Sequence, residues 1–127
     1  FNNVLFFDEI HPDEIPDLYA QCHVGIVTLS SLHNTHNIPG KFLTYMQSGL
    51  PVLANINDGN DLAQVIRDGQ VGQVCESNMS DDLMTSALKV LEQVNMDKGL
   101  PDRCRKLFEK KFASKSAAQQ IVNAFLN

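Results

Sequence analysis

The chain is 127 residues long, 43% hydrophobic and 20% charged, enough for one domain with its own buried core. A net charge of -5 argues against a nucleic-acid module, which neutralises phosphates with a basic stripe. Cys22, Cys75 and Cys104 are odd in number and widely spaced, so they make neither a CxxC metal pair nor a disulfide framework, and a reducing compartment is expected.

No stretch approaches the roughly 18 to 20 apolar residues that span a bilayer, and no secretory pattern opens the chain. The first residue is Phe1 rather than Met, and an apolar run starts almost at once, as expected of a piece of a longer protein. Val4 to Phe7 is a solid apolar run closed by Asp8-Glu9 and predicts a buried strand. Ile15 to Cys22 predicts a short helix, with Pro16 tolerated in its first turn. Val24 to Leu29 predicts a second buried strand, followed by the polar loop SSLHNTHNIPG. Lys41 to Ser48 predicts a helix that packs through Phe42, Leu43, Tyr45 and Met46, with Gly49 as its left-handed cap.

Pro51 to Ala54 is the third expected strand, Asp61 to Arg67 a helix, and Gly72 to Cys75 the fourth strand. Ser80 is expected to cap a longer helix to Met96, in which Leu83, Met84, Ala87, Leu88, Leu91 and Val94 recur at helical spacing and read as core packing. Two further helices, Asp102 to Phe112 and Lys115 to Leu126, close the chain, the second opened by Ser114. With no internal repeat or separating linker, residues 1–127 form a single domain. Strands alternating with helices imply parallel pairing through right-handed crossovers. The expected fold is therefore α/β, a doubly wound, Rossmann-like parallel sheet that binds ligands at the carboxyl ends of its strands.

The loop from Ser30 to Gly40 lies at one of those ends and leads into a helix. A helix N-terminus offers unpaired N–H groups and about half a unit of positive charge, which together attract anions. Gly40 allows close approach to the backbone. Lys41 adds a full cation where cations are disfavoured by the helix dipole, a cost that a bound diphosphate reverses. A solvated surface lysine is the competing reading.

Several segments then stand in a familiar order: LYAQCHVGIVTLS, IPGKFLTYMQSG, GLPVLA, VIRDGQVGQVCE and FEKKFASKSAAQQIVNAF. From Asn3 to Phe125 they resemble the C-terminal domain of retaining group 1 glycosyltransferases of the GT-B fold. IPGKFLTYMQSG is most similar to the branch with a Pro-Ser-Lys element, found among bacterial O-antigen and capsule transferases such as L-fucosamine transferases. The resemblance implies that this domain binds a nucleotide-diphosphate sugar, most simply a UDP-sugar, while an N-terminal domain outside the chain binds the acceptor. It further implies a cytoplasmic enzyme with no cofactor or metal, inactive as this piece alone, and with room for peripheral membrane association through the missing half.

Two glutamates eight positions apart in that family, one on the donor sugar and one on the ribose, fall here on His36 and Thr44. A threonine hydroxyl binds ribose more weakly than a carboxylate does. The family's backbone donors fall on Ile38 to Gly40, where Pro39 has no N–H, leaving Ile38 and Gly40. The implied donor and diphosphate set is thus His36, Asn37, Ile38, Gly40, Lys41 and Thr44, with Ile10 and His11 beside the nucleobase.

Other constellations are less specific. His33 and His36 sit three apart without a third metal ligand, and NDGND, Asn57 to Asp61, lacks the spacing and terminal glutamate of a calcium loop, reading instead as a turn and helix cap. DEIHPDEIPD reads as a solvated acidic turn. Two other functions remain open at this point. A sugar-nucleotide 2-epimerase shares the fold and would need acid/base residues in the other half. A non-enzymatic regulatory module would need an acidic phosphoacceptor cluster, for which Asp8 and Glu9 lack a matching lysine after a late strand.

Overall fold

A computed structural model describes residues 3–29, 38–57, 59–113, 118 and 121–125. Three four-residue strands, β1 (Gly25–Thr28), β2 (Val52–Asn55) and β3 (Gly72–Cys75), form one parallel sheet in the order β1-β2-β3. The register aligns Gly25, Val52 and Gly72 in one row and Val27, Ala54 and Val74 in another. Helices alternate with the strands: α1 (Ile15–Ala20), α2 (Gly40–Gln47), α3 (Asp61–Gly69), α4 (Ser80–Met96) and α5 (Leu100–Phe108). This is the Rossmann-like α/β arrangement expected from the alternation, and β3 and the limits of α4 coincide with the expected spans.

Strand residues alternate between two faces. On one, Val27, Val52 and Ala54 pack with Phe42 and Met46 of α2, Leu62 and Ile66 of α3, and Leu100 and Cys104 of α5. Phe42, Met46, Leu62, Ile66, Val52 and Cys104 are fully buried. On the other, α4 covers β2 and β3, with Val90 buried and Gln73 Nε2 donating to Gln93 Oε1 at 3.1 Å. α2 stops where its sequence says it must. Ser48 is the last αR residue, and Gly49 follows at φ 73°, where a side chain would be strained.

The edge of β1 is closed by a side chain. Gly25 N–H donates to Pro51 and Leu29 N–H to Asn55, so the odd-numbered residues face β2 and the carbonyl of Ile26 points away from it. The Tyr45 hydroxyl, reaching up from α2, donates to that carbonyl at 3.2 Å. Its ring lies across Gly25, where a Cβ would come within 2.7 Å of the ring atoms, and tilts against Tyr19 of α1 at 5.0 Å between centroids. Burial, helped by Tyr19, raises the Tyr45 hydroxyl above its ordinary pKa, which keeps it a donor.

At the opposite, amino-terminal end of the strands a polar clamp joins three elements. The carbonyl of Gln70, the left-handed residue that ends α3, accepts from Arg103 Nε and Nη2 at 3.3 and 2.8 Å and from Gln93 Nε2 at 3.3 Å. Arg103 also donates to Asp97 at 2.6 Å and holds that carboxyl below its usual range.

Four expectations need correction. Val4 to Phe7 is not a strand: it is irregular and exposed, with Phe6 92% accessible, because no described strand offers its backbone a ladder partner. Ser80 does not cap α4. Met79 holds the cap position, and the Ser77 hydroxyl, two residues earlier, accepts from Met79 N–H at 3.0 Å. The apolar arc of α4 is wider than the surface it covers, so Leu83, Ala87 and Val94 are half-buried while Met84, Leu88 and Leu91 face solvent. Finally, α5 begins at Leu100, two residues before the expected start, with Pro101 in its first turn, and widens into a π-helical turn at Glu109–Ala113. Of the last expected helix, residue 118 and residues 121–125 are helical, and Ser114 lies outside the described residues.

Two measurements check this packing. Phe42→Ala removes a fully buried ring from the shared core and is expected to cost about 3–5 kcal/mol in denaturant unfolding. The second is a pH dependence. Burial pushes the Cys104 thiol up to about 12, whereas an unfolded thiol titrates near ~8.5. A raised folded pKa means stability is intact below the unfolded value and is lost as pH climbs toward 12, at about 1.4 kcal/mol per unit. Stability measured between mildly alkaline pH and 12 should therefore fall, and Cys104→Ala, less stable at neutral pH, should flatten that slope.

Candidate functional site

In a parallel sheet every strand-to-helix connection delivers a helix N-terminus to the carboxyl edge. Here α2, α3 and α4 arrive there, after β1, β2 and β3. The first two are finished differently. α3 has a conventional cap: Asn60 is buried, and its side-chain oxygen accepts from Leu62 N–H at 2.8 Å, as expected for NDGND. Asp61 adds an acid to that first turn.

α2 has neither device. Pro39 occupies its cap position in extended conformation, no side chain caps it, and its first turn contains no acid. Phe42 N–H returns to the Pro39 carbonyl at 3.1 Å. That leaves the amides of Gly40 and Lys41 without a partner among the described residues. Both residues are exposed, and among the described residues nothing lies within 4 Å of where a Cβ on Gly40 would stand. Among the described residues nothing covers the backbone of α2's first turn, while Phe42, Tyr45 and Met46 fix the helix in the core.

Of the residues singled out by sequence, Ile38, Gly40, Lys41 and Thr44 lie together on this end. Ile38 is half-buried against the core. The Thr44 hydroxyl donates to the Gly40 carbonyl at 3.1 Å, so its remaining capacity toward a ligand is as an acceptor. His36 and Asn37 lie outside the described residues, as does His33. Ile10 lines a separate groove of about 310 Å3 with Phe7, Glu14, Asp17, Leu18 and Gln21. His11 caps the 3-10 turn Pro12–Glu14, its Nδ1 accepting from Asp13 N–H at 3.2 Å. No group of His, Cys, Asp and Glu among the described residues is arranged to hold a metal ion.

Sequence reasoning passed over three features at the same edge. The Lys41 amide is a donor because the helix starts one residue earlier than expected, at Gly40. Glu76, just past β3, pairs with Arg67 of α3, and the two line a groove of about 360 Å3 with Gly59, Asn60, Asp61 and Gln64. Asn55 ends β2, and its amide, oriented to satisfy both groups, donates to the carbonyls of Cys75 at 3.1 Å and Ser77 at 3.3 Å. Their shared signal is position at a strand's carboxyl end; their mutual contacts are long-range and leave no local pattern.

A parallel α/β sheet with an uncapped, acid-free helix start at its carboxyl edge is an arrangement that can accommodate an anionic ligand. A family model described as glycosyl transferases group 1 matches residues 1–93. The chain belongs to that family, and membership implies glycosyl transfer from a nucleotide-sugar donor in general. No curated protein and no solved structure matches the chain. None of its described helices is long and apolar enough to cross a membrane.

Because Gly40 has open space and a negative φ, its glycine is not required by the fold. Gly40→Ala is expected to leave the melting temperature of the empty domain unchanged or raised, by no more than about 1 kcal/mol in stability. A clear drop in a thermal melt would show instead that the first turn is tightly packed.

Proposed function

We propose that this chain is the donor-binding part of a retaining glycosyltransferase that uses a nucleotide-diphosphate sugar, with UDP as the nucleotide. The observation that carries the reading is the start of α2: two amides without a partner among the described residues and one exposed lysine stand in a first turn where the helix dipole is positive and which holds no acid. The diphosphate sits on the Gly40 and Lys41 amides and the Lys41 side chain, with Ile38 supplying a further backbone donor. Thr44 accepts from the ribose. Ile10 and His11 flank the base, and His36 and Asn37 approach the sugar. A separate N-terminal domain, carrying the acceptor, completes the cleft, and the chain without it is inactive.

In such a cleft the chain's own residues contribute orientation and charge. Amides and ammonium are fixed before the donor arrives, and the negative charge that accumulates on the departing diphosphate meets donors already in place. The accessible Cβ direction of Gly40 lets phosphate oxygens approach the backbone. The resemblance of IPGKFLTYMQSG to O-antigen and capsule transferases supports a saccharide or lipid-linked acceptor in cell-surface polysaccharide synthesis.

Titration calorimetry with UDP tests the reading. Lys41→Ala should weaken binding by about 1.5–3 kcal/mol, the worth of a charged hydrogen bond. The loss should be smaller for uridine and should shrink as salt rises. Thermal stability of the unliganded domain should be unchanged or slightly higher, since the dipole clash is gone. Lower stability with unchanged UDP affinity would make Lys41 structural and move the phosphate site elsewhere.

A further inference from the structure

The groove between α3 and the segment after β3 has a different chemistry from the start of α2. Its volume, about 360 Å3, falls in the range of about 300–1,000 Å3 usual for small-molecule sites. Asn60, Asp61, Gln64, Arg67 and Glu76 line it, and the remaining lining residues are a glycine and an alanine. Two carboxylates stand there with one guanidinium, and that guanidinium already pairs with Glu76. This balance disfavours a phosphate. With no aromatic or long apolar side chain in the wall, a nucleobase or an acyl chain would gain little.

Asn60 adds an independent observation. It is only 9% exposed, and its Oδ1 accepts from Leu62 N–H at 2.8 Å to cap α3. Its Nδ2 has no partner among the described residues. No side-chain nitrogen or oxygen among those residues is sealed from solvent without a partner, so Nδ2 reaches the groove that Asn60 lines. Acceptors and further donors stand on the same wall. Gln64 Nε2 donates to Asp68 at 2.7 Å, which leaves Gln64 Oε1 as an acceptor. Arg67 commits Nη2 to one oxygen of Glu76 and keeps its other N–H donors, while Glu76 keeps its second oxygen.

We infer that this groove binds an uncharged saccharide ring, with Asn60 Nδ2 and Arg67 donating to its hydroxyl oxygens and Gln64 and Glu76 accepting from its hydroxyl groups. A hydroxyl both donates and accepts. A polyol therefore satisfies a mixed wall whose donors and acceptors a phosphate, an acceptor alone, would leave half unpaired. The site belongs to α3 and the segment after β3, not to the start of α2, and does not depend on what α2 binds. Two sources carry this chemistry, the sugar of a nucleotide-sugar donor and a saccharide acceptor.

The side-chain amide resonances of Asn60 and Gln64 in an isotope-labelled chain test it, with glucose, galactose and N-acetylglucosamine as probes. At least one sugar should shift both amides, and inorganic phosphate should shift neither. Asn60→Asp keeps the capping oxygen and removes the donor. The melting temperature should therefore hold while saccharide affinity falls roughly three- to tenfold, the net worth of one hydrogen bond. Gln64→Leu, on an exposed position of α3, leaves the cap untouched and should weaken binding to a similar degree. Both variants should keep the parent's affinity for UDP, and Lys41→Ala should keep its affinity for the saccharide, so this site and the one at α2 fail separately. Displacement of the saccharide by the UDP form of the same sugar, but not by UDP, assigns the groove to the donor's ring; no displacement by either assigns it to the acceptor. Silence of both amides toward all three sugars, undiminished saccharide affinity in both variants, or larger shifts with phosphate overturns the proposal.

Discussion

β2 is hydrogen-bonded along both of its edges and apolar on both of its faces, so its four residues, Val52 to Asn55, couple the other two strands with α2, α3, α4 and α5. One edge holds β1 and the other β3. Val52 and Ala54 face the core that α2, α3 and α5 share, while Leu53 faces the α4 side. At its carboxyl end Asn55 ties down the segment after β3. A strand so short has only a few ladder bonds, and parallel pairing is slightly weaker per residue than antiparallel pairing. Its stability must come from the side chains packed on it, and a hole beneath it would loosen the strand and the helix starts at its carboxyl end together.

Much of this was legible in the sequence where local chemistry and burial agree. Gly49, Pro51 and the apolar run after them mark a helix end followed by a strand, and only a residue free to take positive φ suits the first of those positions. Asn60 before an amphipathic stretch announces the start of α3, and its cap bond is there. Val4 to Phe7 shows the limit of such reading. An apolar run without period looks the same whether it is sandwiched in a sheet or left outside one, and only a partner strand decides. α4 shows a second limit: periodicity reveals that a helix is amphipathic, not how wide a surface waits to cover it.

The candidate site divides along the same line. The anomaly of Lys41 was visible as a cation in a first turn, because helix electrostatics is a local property. That the Lys41 amide has no partner among the described residues depends on where the helix begins, a one-residue matter that side-chain pattern does not fix. Glu76 with Arg67, and Asn55 with the carbonyls after β3, are meetings between segments and could only be seen in three dimensions. The family match, residues 1–93, spans β1 to β3 and most of α4 and leaves out the basic end of α5.

Tyr45 and Gly25 bear on how this sequence can change. The phenol ring occupies the space that any side chain at position 25 would need, and its hydroxyl saturates the outward carbonyl of Ile26. The two positions therefore form a single unit of inheritance. A larger residue at 25 is admissible only in a chain that has already given up the ring at 45, and such a chain loses the plug on its outer strand and must cover that edge by other means. A search for homologues that drift at one of these positions should find the other drifting with it, and a designer who wishes to extend the sheet by one more strand would begin by exchanging Tyr45.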